Sequence, residues 1–221
     1  SNLNGKNIYE CRKEMGKHLA RERSTKGDIV IPVPDSGVPA ALGFSEQSKI
    51  PFDLGIIRNH YVGRTFIEPT QKIRQLGIKL KHNPNRELIK NKKVILVDDS
   101  IVRGTTAIKI VEMIRDAGAA EVHMRISSPP IMYPDYYGID TPRKDELLAS
   151  IYNLEEMKNK LKLDSLYFLS IDGLYKSMGF SSRNTKCSQF TDHCFTGDYP
   201  TELTDRDEGT LSSQLSLLSN N

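Results

Sequence analysis

The chain has 221 residues, 38% hydrophobic and 27% charged, with a formal net charge of +3. This length supports one well-buried domain with a small appendage, while so slight a basic excess argues against the concentrated cationic face of a nucleic-acid binder. Three cysteines, Cys11, Cys187 and Cys194, neither complete a disulfide framework nor supply two close ligand pairs for zinc, and no apolar run approaches a membrane span, so a soluble protein of the reducing cytoplasm is expected.

In chain order, "YECRKEMGKHLARER" reads as an amphipathic helix, ended by the Lys26-Gly27 turn before the apolar strand "IVIPVP". "DSGVPAALGFSEQS" follows as a turn and helix, and "FDLGII" as a second short strand that leads into a long polar segment. "KKVILVDDS" is the clearest strand. Its following helix places Ala107, Ile110, Val111 and Ile114 on one stripe, and Gly118 is placed to stop it. "EVHMRISS" reads as another strand, "TPRKDELLAS" and "NLEEMKNKLK" as helices, and "SLYFLSIDGLYKSMG" as strand then helix. Strands alternating with helices predict an α/β fold, a mostly parallel central sheet covered on both faces. No internal repeat is visible, and "SSQLSLLSNN" reads as a frayed tail.

Asp98 and Asp99 fall at the carboxyl end of the clearest strand, where such sheets bind ligands. Gly104, Thr105 and Thr106 then open a helix, whose unpaired amides and positive dipole end favour a phosphate. Carboxylates would repel that phosphate directly, so they are better read as acceptors for hydroxyls or as holders of a divalent cation. A sugar phosphate satisfies both halves. The bland alternative is a solvated turn with Thr105 or Thr106 as an ordinary helix cap. A phosphoacceptor aspartate is a sharper rival, but it leaves the Gly-Thr-Thr turn unused.

"VILVDDSIVRGTT" resembles the phosphoribosyl pyrophosphate (PRPP) motif of type I phosphoribosyltransferases. "IVIPVPDSGVPAALGFSEQSKIPF", "NHYVGRTFIEP", "SSPPI" with "YGIDTPRKDELLAS", and "CFTGDYPTEL" together resemble the phosphoribosyltransferase domain of the amidophosphoribosyltransferase family. The likeness implies the type I phosphoribosyltransferase fold with a flexible catalytic loop, the domain occupying residues 1–200 and a partly disordered tail 201–221. It further implies that Asp98, Asp99, Ser100, Arg103, Gly104, Thr105 and Thr106 bind PRPP. Asp35, Ser36 and Gly37 would face the pyrophosphate, with Ser36, Asp98 and Asp99 in the Mg²⁺ environment. On its own chemistry, "PVPDSG" is a turn in which Gly37 is expected to use backbone angles closed to other residues, and a plain turn with a serine cap is the alternative.

From Arg58 to Lys93 ten lysines and arginines face only Glu68 and Glu87. Such a run is usually a solvated surface, but a long cationic segment also suits a lid over a polyanionic leaving group, and the "YVGRTFI" likeness implies the catalytic loop. Arg64 and Lys81 are its implied catalytic cations. One departure is His82, where the family usually has leucine.

The implied reaction is displacement of pyrophosphate from C1 of PRPP by ammonia, giving 5-phosphoribosylamine in the first committed step of purine biosynthesis. Arg64, Lys81 and Mg²⁺ would stabilise the leaving group, and Asp98 and Asp99 would hold the ribose hydroxyls. Full-length relatives carry a preceding glutaminase domain with a terminal cysteine nucleophile. Here Ser1 stands first and Cys11 lies in a predicted helix, so a fragment using free ammonia is expected. Some relatives bind an iron–sulfur cluster through four cysteines. Thr191 and Asp135 occupy two of those positions, so no cluster is expected; the adjacent His193 and Cys194 are poor grounds for another metal. The likeness also implies purine-nucleotide inhibition and homo-oligomers in the full enzyme. A PRPP-sensing regulatory protein and a transferase for another acceptor are the alternatives, and the sequence offers neither a winged helix nor a strongly basic face for the former.

Overall fold

Two residues per turn of pleat, both apolar, make the central strands bury both faces. The computed structural model describes residues 2–3, 5–58, 82–139, 141, 143–186 and 188–203. A hairpin, β1 (Asn2–Leu3) and β2 (Lys6–Asn7), turns at Gly5 and feeds α1 (Ile8–Glu22), whose first turn is capped by the Asn7 side chain accepting from Tyr9 N at 2.8 Å. Then come β3 (Ile29–Pro32), α2 (Val38–Ser48), β4 (Ile56–Arg58), β5 (His82–Pro84) and α3 (Arg86–Ile89). The second half runs β6 (Lys93–Asp98), α4 (Thr105–Asp116), β7 (Glu121–Ile126), α5 (Leu148–Ile151), α6 (Leu154–Lys160), β8 (Ser165–Phe168), α7 (Ile171–Ser177) and α8 (His193–Thr196).

Four parallel strands form the main sheet in the order β3-β6-β7-β8. Ile29 and Ile31 of β3, Val94 and Leu96 of β6, and Val122 and Met124 of β7 pack with Ile110, Val111 and Ile114 of α4. The intervening residues Val30, Ile95 and Val97 face the other way, against Leu19 of α1 and Ala40, Ala41 and Phe44 of α2. This is the two-faced α/β architecture expected from the alternation of elements, and Gly118, at φ 95, ends α4 as expected. No helix among the described residues is long and apolar enough to cross a membrane.

Two sequence expectations change. "FDLGII" is not one strand: Phe52 makes only an isolated bridge to Val30, and Ile56–Arg58 pairs antiparallel with His82–Pro84 in a separate two-stranded ribbon. "TPRKDELLAS" is not a continuous helix either. A 3-10 turn, Lys144–Glu146, breaks at Leu147, which has extended backbone, before α5 begins. Leu147 and Leu148 are both buried, and Leu148 N donates to Val102 O at 2.8 Å, so tertiary contacts override the helical reading. Of the expected tail, 201–221, residues 204–221 lie outside the described residues.

α1 and α2 touch almost backbone to backbone. A Cβ added at Gly16 would lie 1.8 Å from Ala40 O, and one at Gly43 would lie 1.8 Å from Lys13 O. Gly16→Ala and Gly43→Ala are each expected to destabilise the domain by about 2 kcal/mol or more, opposite in sign to the gain of roughly 1 kcal/mol that alanine brings over glycine in an open helix. Midpoints of urea unfolding check this.

Candidate active site

β3 and β6 pair in register, with Pro32 opposite Val97, so the segments that leave them emerge side by side at the carboxyl end of the sheet. The pairing runs one step further, since Val33 N donates to Val97 O at 2.8 Å. The Asp35–Gly37 turn folds back over this edge. Gly37 approaches so closely that a Cβ would lie 2.4 Å from Val97 O. The expected unusual backbone is not found, because Gly37 has φ −74, an ordinary helical value. Space, not backbone angle, requires glycine there. The Pro34–Asp35 peptide is cis.

Asp98 ends β6 with only 8% of its surface exposed. Its carbonyl accepts from Ser127 N at 2.9 Å and Ser127 Oγ at 3.1 Å, which ties it to the end of β7. Its carboxylate accepts from Asp99 N at 2.8 Å, and Ser100 Oγ donates to Asp99 Oδ1 at 3.3 Å. Burial, and next the neighbouring Asp99 charge, push the Asp98 carboxyl up to about 8. A cation placed nearby would draw this carboxyl back toward its charged form. Asp98, Asp99 and the Ser36 hydroxyl on the adjacent loop are hard oxygen donors of the kind Mg²⁺ takes. Among the described residues no three His, Cys, Asp or Glu side chains group as metal ligands, so a cation here would complete its shell with substrate or solvent oxygens.

Past the acids, Gly104 sits at φ 77 as the N-cap residue of α4, and no side-chain cap hydrogen bond closes the first turn among the described residues. Thr105 and Thr106 are exposed, and neither acts as the ordinary cap of the bland alternative. The first-turn amides and the positive end of the helix dipole therefore present an anion-binding surface beside the two acids. Gly104 itself packs against Leu148, whose Cδ2 would lie 2.9 Å from an added Cβ.

Asp35, Ser36, Gly37, Asp98, Asp99, Ser100, Arg103, Gly104, Thr105 and Thr106 thus lie on two neighbouring loops at one end of the sheet. Arg64 and Lys81 lie outside the described residues. Arg58, counted in the sequence only as one cation of a run, ends β4 and is ion-paired with Asp35, while its Nε is buried without a hydrogen-bond partner among the described residues. Ser127 was not singled out either, although its Ser-Ser context at a strand end was visible. Asp135 and His193 meet between the segment that follows β7 and α8. Asp135 Oδ2 lies 2.7 Å from His193 Nε2, and the imidazole stacks on Tyr199 with ring centroids 5.0 Å apart. Burial, and then Asp135, push the Cys194 thiol up to about 11, which does not suit a nucleophile; Cys187 lies outside the described residues.

The model of the phosphoribosyl transferase domain matches residues 4–127. The amidophosphoribosyltransferase of Rhizobium etli is 58% identical over 220 residues, 99% of this chain and 44% of that protein. The amidophosphoribosyltransferase of Bacillus subtilis is 49% identical over 203 residues, 92% of this chain and 42% of that protein. A solved structure described as the allosteric regulatory enzyme of purine biosynthesis matches with a TM-score of 0.82 and 48% identity, over 93% of this chain and 44% of its own. A second, glutamine PRPP amidotransferase from B. subtilis complexed with ADP and GMP, matches with the same TM-score and identity over 93% and 45%. The chain spans less than half the length of these relatives.

The buried Asp98 carboxyl has a testable cost. In the metal-free protein Asp98→Asn, which keeps the acceptor for Asp99 N, is expected to raise stability by about 1 kcal/mol or more. Differential scanning calorimetry at neutral pH measures it.

Proposed function

The chain belongs to the phosphoribosyl transferase domain family, and from that premise we propose that it transfers the phosphoribosyl group of PRPP to ammonia, giving 5-phosphoribosylamine and pyrophosphate. One observation carries the reading: two acids and an uncapped Gly-Thr-Thr helix start lie on one loop, beside a second loop whose backbone packs against the same strand. The likeness to amidophosphoribosyltransferases supports ammonia as the acceptor.

In this reading the α4 amides and the Thr105 and Thr106 hydroxyls bind the 5-phosphate, with Arg103 at its flank. Asp98 and Asp99 accept hydrogen bonds from the ribose hydroxyls and stand near the positive charge that grows on the ring as the C1–O bond lengthens. The Asp35–Gly37 loop meets the pyrophosphate. Arg58 is released from Asp35 to stabilise that anion, together with Arg64 and Lys81. Asp98, Asp99 and Ser36 would hold Mg²⁺, which supplies charge neutralisation at the pyrophosphate when bound. Unprotonated ammonia is already nucleophilic, so the chain needs no dedicated general base.

The full-length relatives' glutaminase partner, purine-nucleotide inhibition and homo-oligomeric assembly belong to the same proposal, as does a cytoplasmic location; B. subtilis glutamine PRPP amidotransferase has been solved with ADP and GMP bound. An assay with PRPP, Mg²⁺ and an ammonium salt is expected to release pyrophosphate, faster as rising pH frees ammonia, and to stay silent with glutamine. The Asp98→Asn, Asp99→Asn double variant is expected to lose about 100-fold or more in kcat/KM. Turnover only with a nucleobase identifies another transferase. PRPP binding without any turnover identifies a sensor.

A further inference from the structure

Arg103 and Glu146 join two segments whose backbones are fixed independently of the ion pair. Leu148 N donates to Val102 O at 2.8 Å, and the Leu148 side chain, 2% exposed, packs on Gly104. The 3-10 turn Lys144–Glu146 is therefore held beside the phosphate loop whatever its side chains do. The other charges of this turn are engaged locally. Arg143 Nε lies 3.1 Å from Asp145 Oδ1 and Arg143 Nη2 2.5 Å from Asp145 Oδ2, and Lys144 Nζ stands 5.2 Å from the centre of the Tyr133 ring. Among the described residues the Glu146 carboxylate accepts its hydrogen bond from Arg103, with the Arg143 charge acting on it only through space.

The contact between them is a weak one. Arg103 Nη2 lies 3.3 Å from Glu146 Oε2, with the side chains 53% and 46% exposed. That is a single contact, longer than the usual charge-assisted hydrogen bond and screened by water. A phosphate offers the same guanidinium two oxygens in a parallel fork. We propose that Glu146 is a counter-ion that holds Arg103 while the phosphate loop is empty and yields it to the arriving 5-phosphate, so that Glu146 sets the affinity of this subsite by competition. The inference rests on the reading of Gly104–Thr106 as the 5-phosphate site. Glu146 is then a positioning residue whose charge weakens binding. By the same competition it hastens release of a phosphorylated product.

The test is calorimetric titration of the folded chain with ribose 5-phosphate, which carries the 5-phosphate and no pyrophosphate, in the wild type, Glu146→Gln, Arg103→Gln and the double variant. Glu146→Ala serves as a second replacement if the glutamine variant melts early. Removing the Glu146 charge is expected to tighten binding about two- to fivefold at low ionic strength, with the gain shrinking as salt rises. In the Arg103→Gln background the gain should vanish. Unchanged or weaker binding by both Glu146 variants overturns the proposal. So does an equal gain without Arg103, which would mean that the carboxylate simply repels the ligand. If the wild type binds neither ribose 5-phosphate nor PRPP, the 5-phosphate reading falls first and takes this inference with it; wild-type binding without the gain sinks the inference alone.

Discussion

The parallel pairing of β3 with β6 is the constraint from which the candidate site follows. Each of these strands is short, yet both are buried on two faces, so a slip of one residue would turn every large side chain toward the wrong layer. That register fixes where the chain leaves each strand. It brings the Asp35–Gly37 turn and the Asp98–Gly104 loop together, though they are some sixty positions apart in sequence. Hydrogen bonds from Ser127 extend the same logic to β7, holding the Asp98 backbone from the other side.

Electrostatics at this meeting point are deliberately unbalanced. One side offers carboxylates, one of them buried well past what an isolated acid tolerates; the other offers backbone amides and the positive end of a helix dipole. Arg58 and Arg103 each sit at the margin with an acidic partner, Asp35 and Glu146 respectively. Each pair offsets one positive with one negative charge, and Asp98 and Asp99 stand beside them without a cationic partner among the described residues. In the proposed reading both arginines exchange these acids for a ligand with a stronger negative charge.

Local periodicity made most of the scaffold legible. The α4 stripe, the strands at Ile29, Lys93 and Glu121, and the glycine stop at Gly118 follow from apolar spacing and turn chemistry, and the acids and the Gly-Thr-Thr turn are contiguous. What escaped the sequence is non-local. Gly37 is needed because Val97 lies opposite it, the expected helix at Thr141–Ser150 breaks because Leu147 and Leu148 must both turn inward, and Arg58 finds Asp35 through folding alone. The Asp135 and His193 pair belongs to the same class: two side chains 58 positions apart that fasten the segment after β7 to α8. Adjacent residues gave no sign of either partnership.

The bare first turn of α4 has a consequence for the fold as a whole. A helix that begins on a glycine in the left-handed region, without a serine, threonine or aspartate at its N-cap to reach its amides, forgoes only a few tenths of a kcal/mol relative to such a cap, yet leaves those amides without the cap's acceptor. An anion seated there supplies those missing hydrogen bonds from outside the chain. Ligand and polypeptide then share the task of finishing one helix, and occupancy of the site becomes a component of folding equilibrium through mass action.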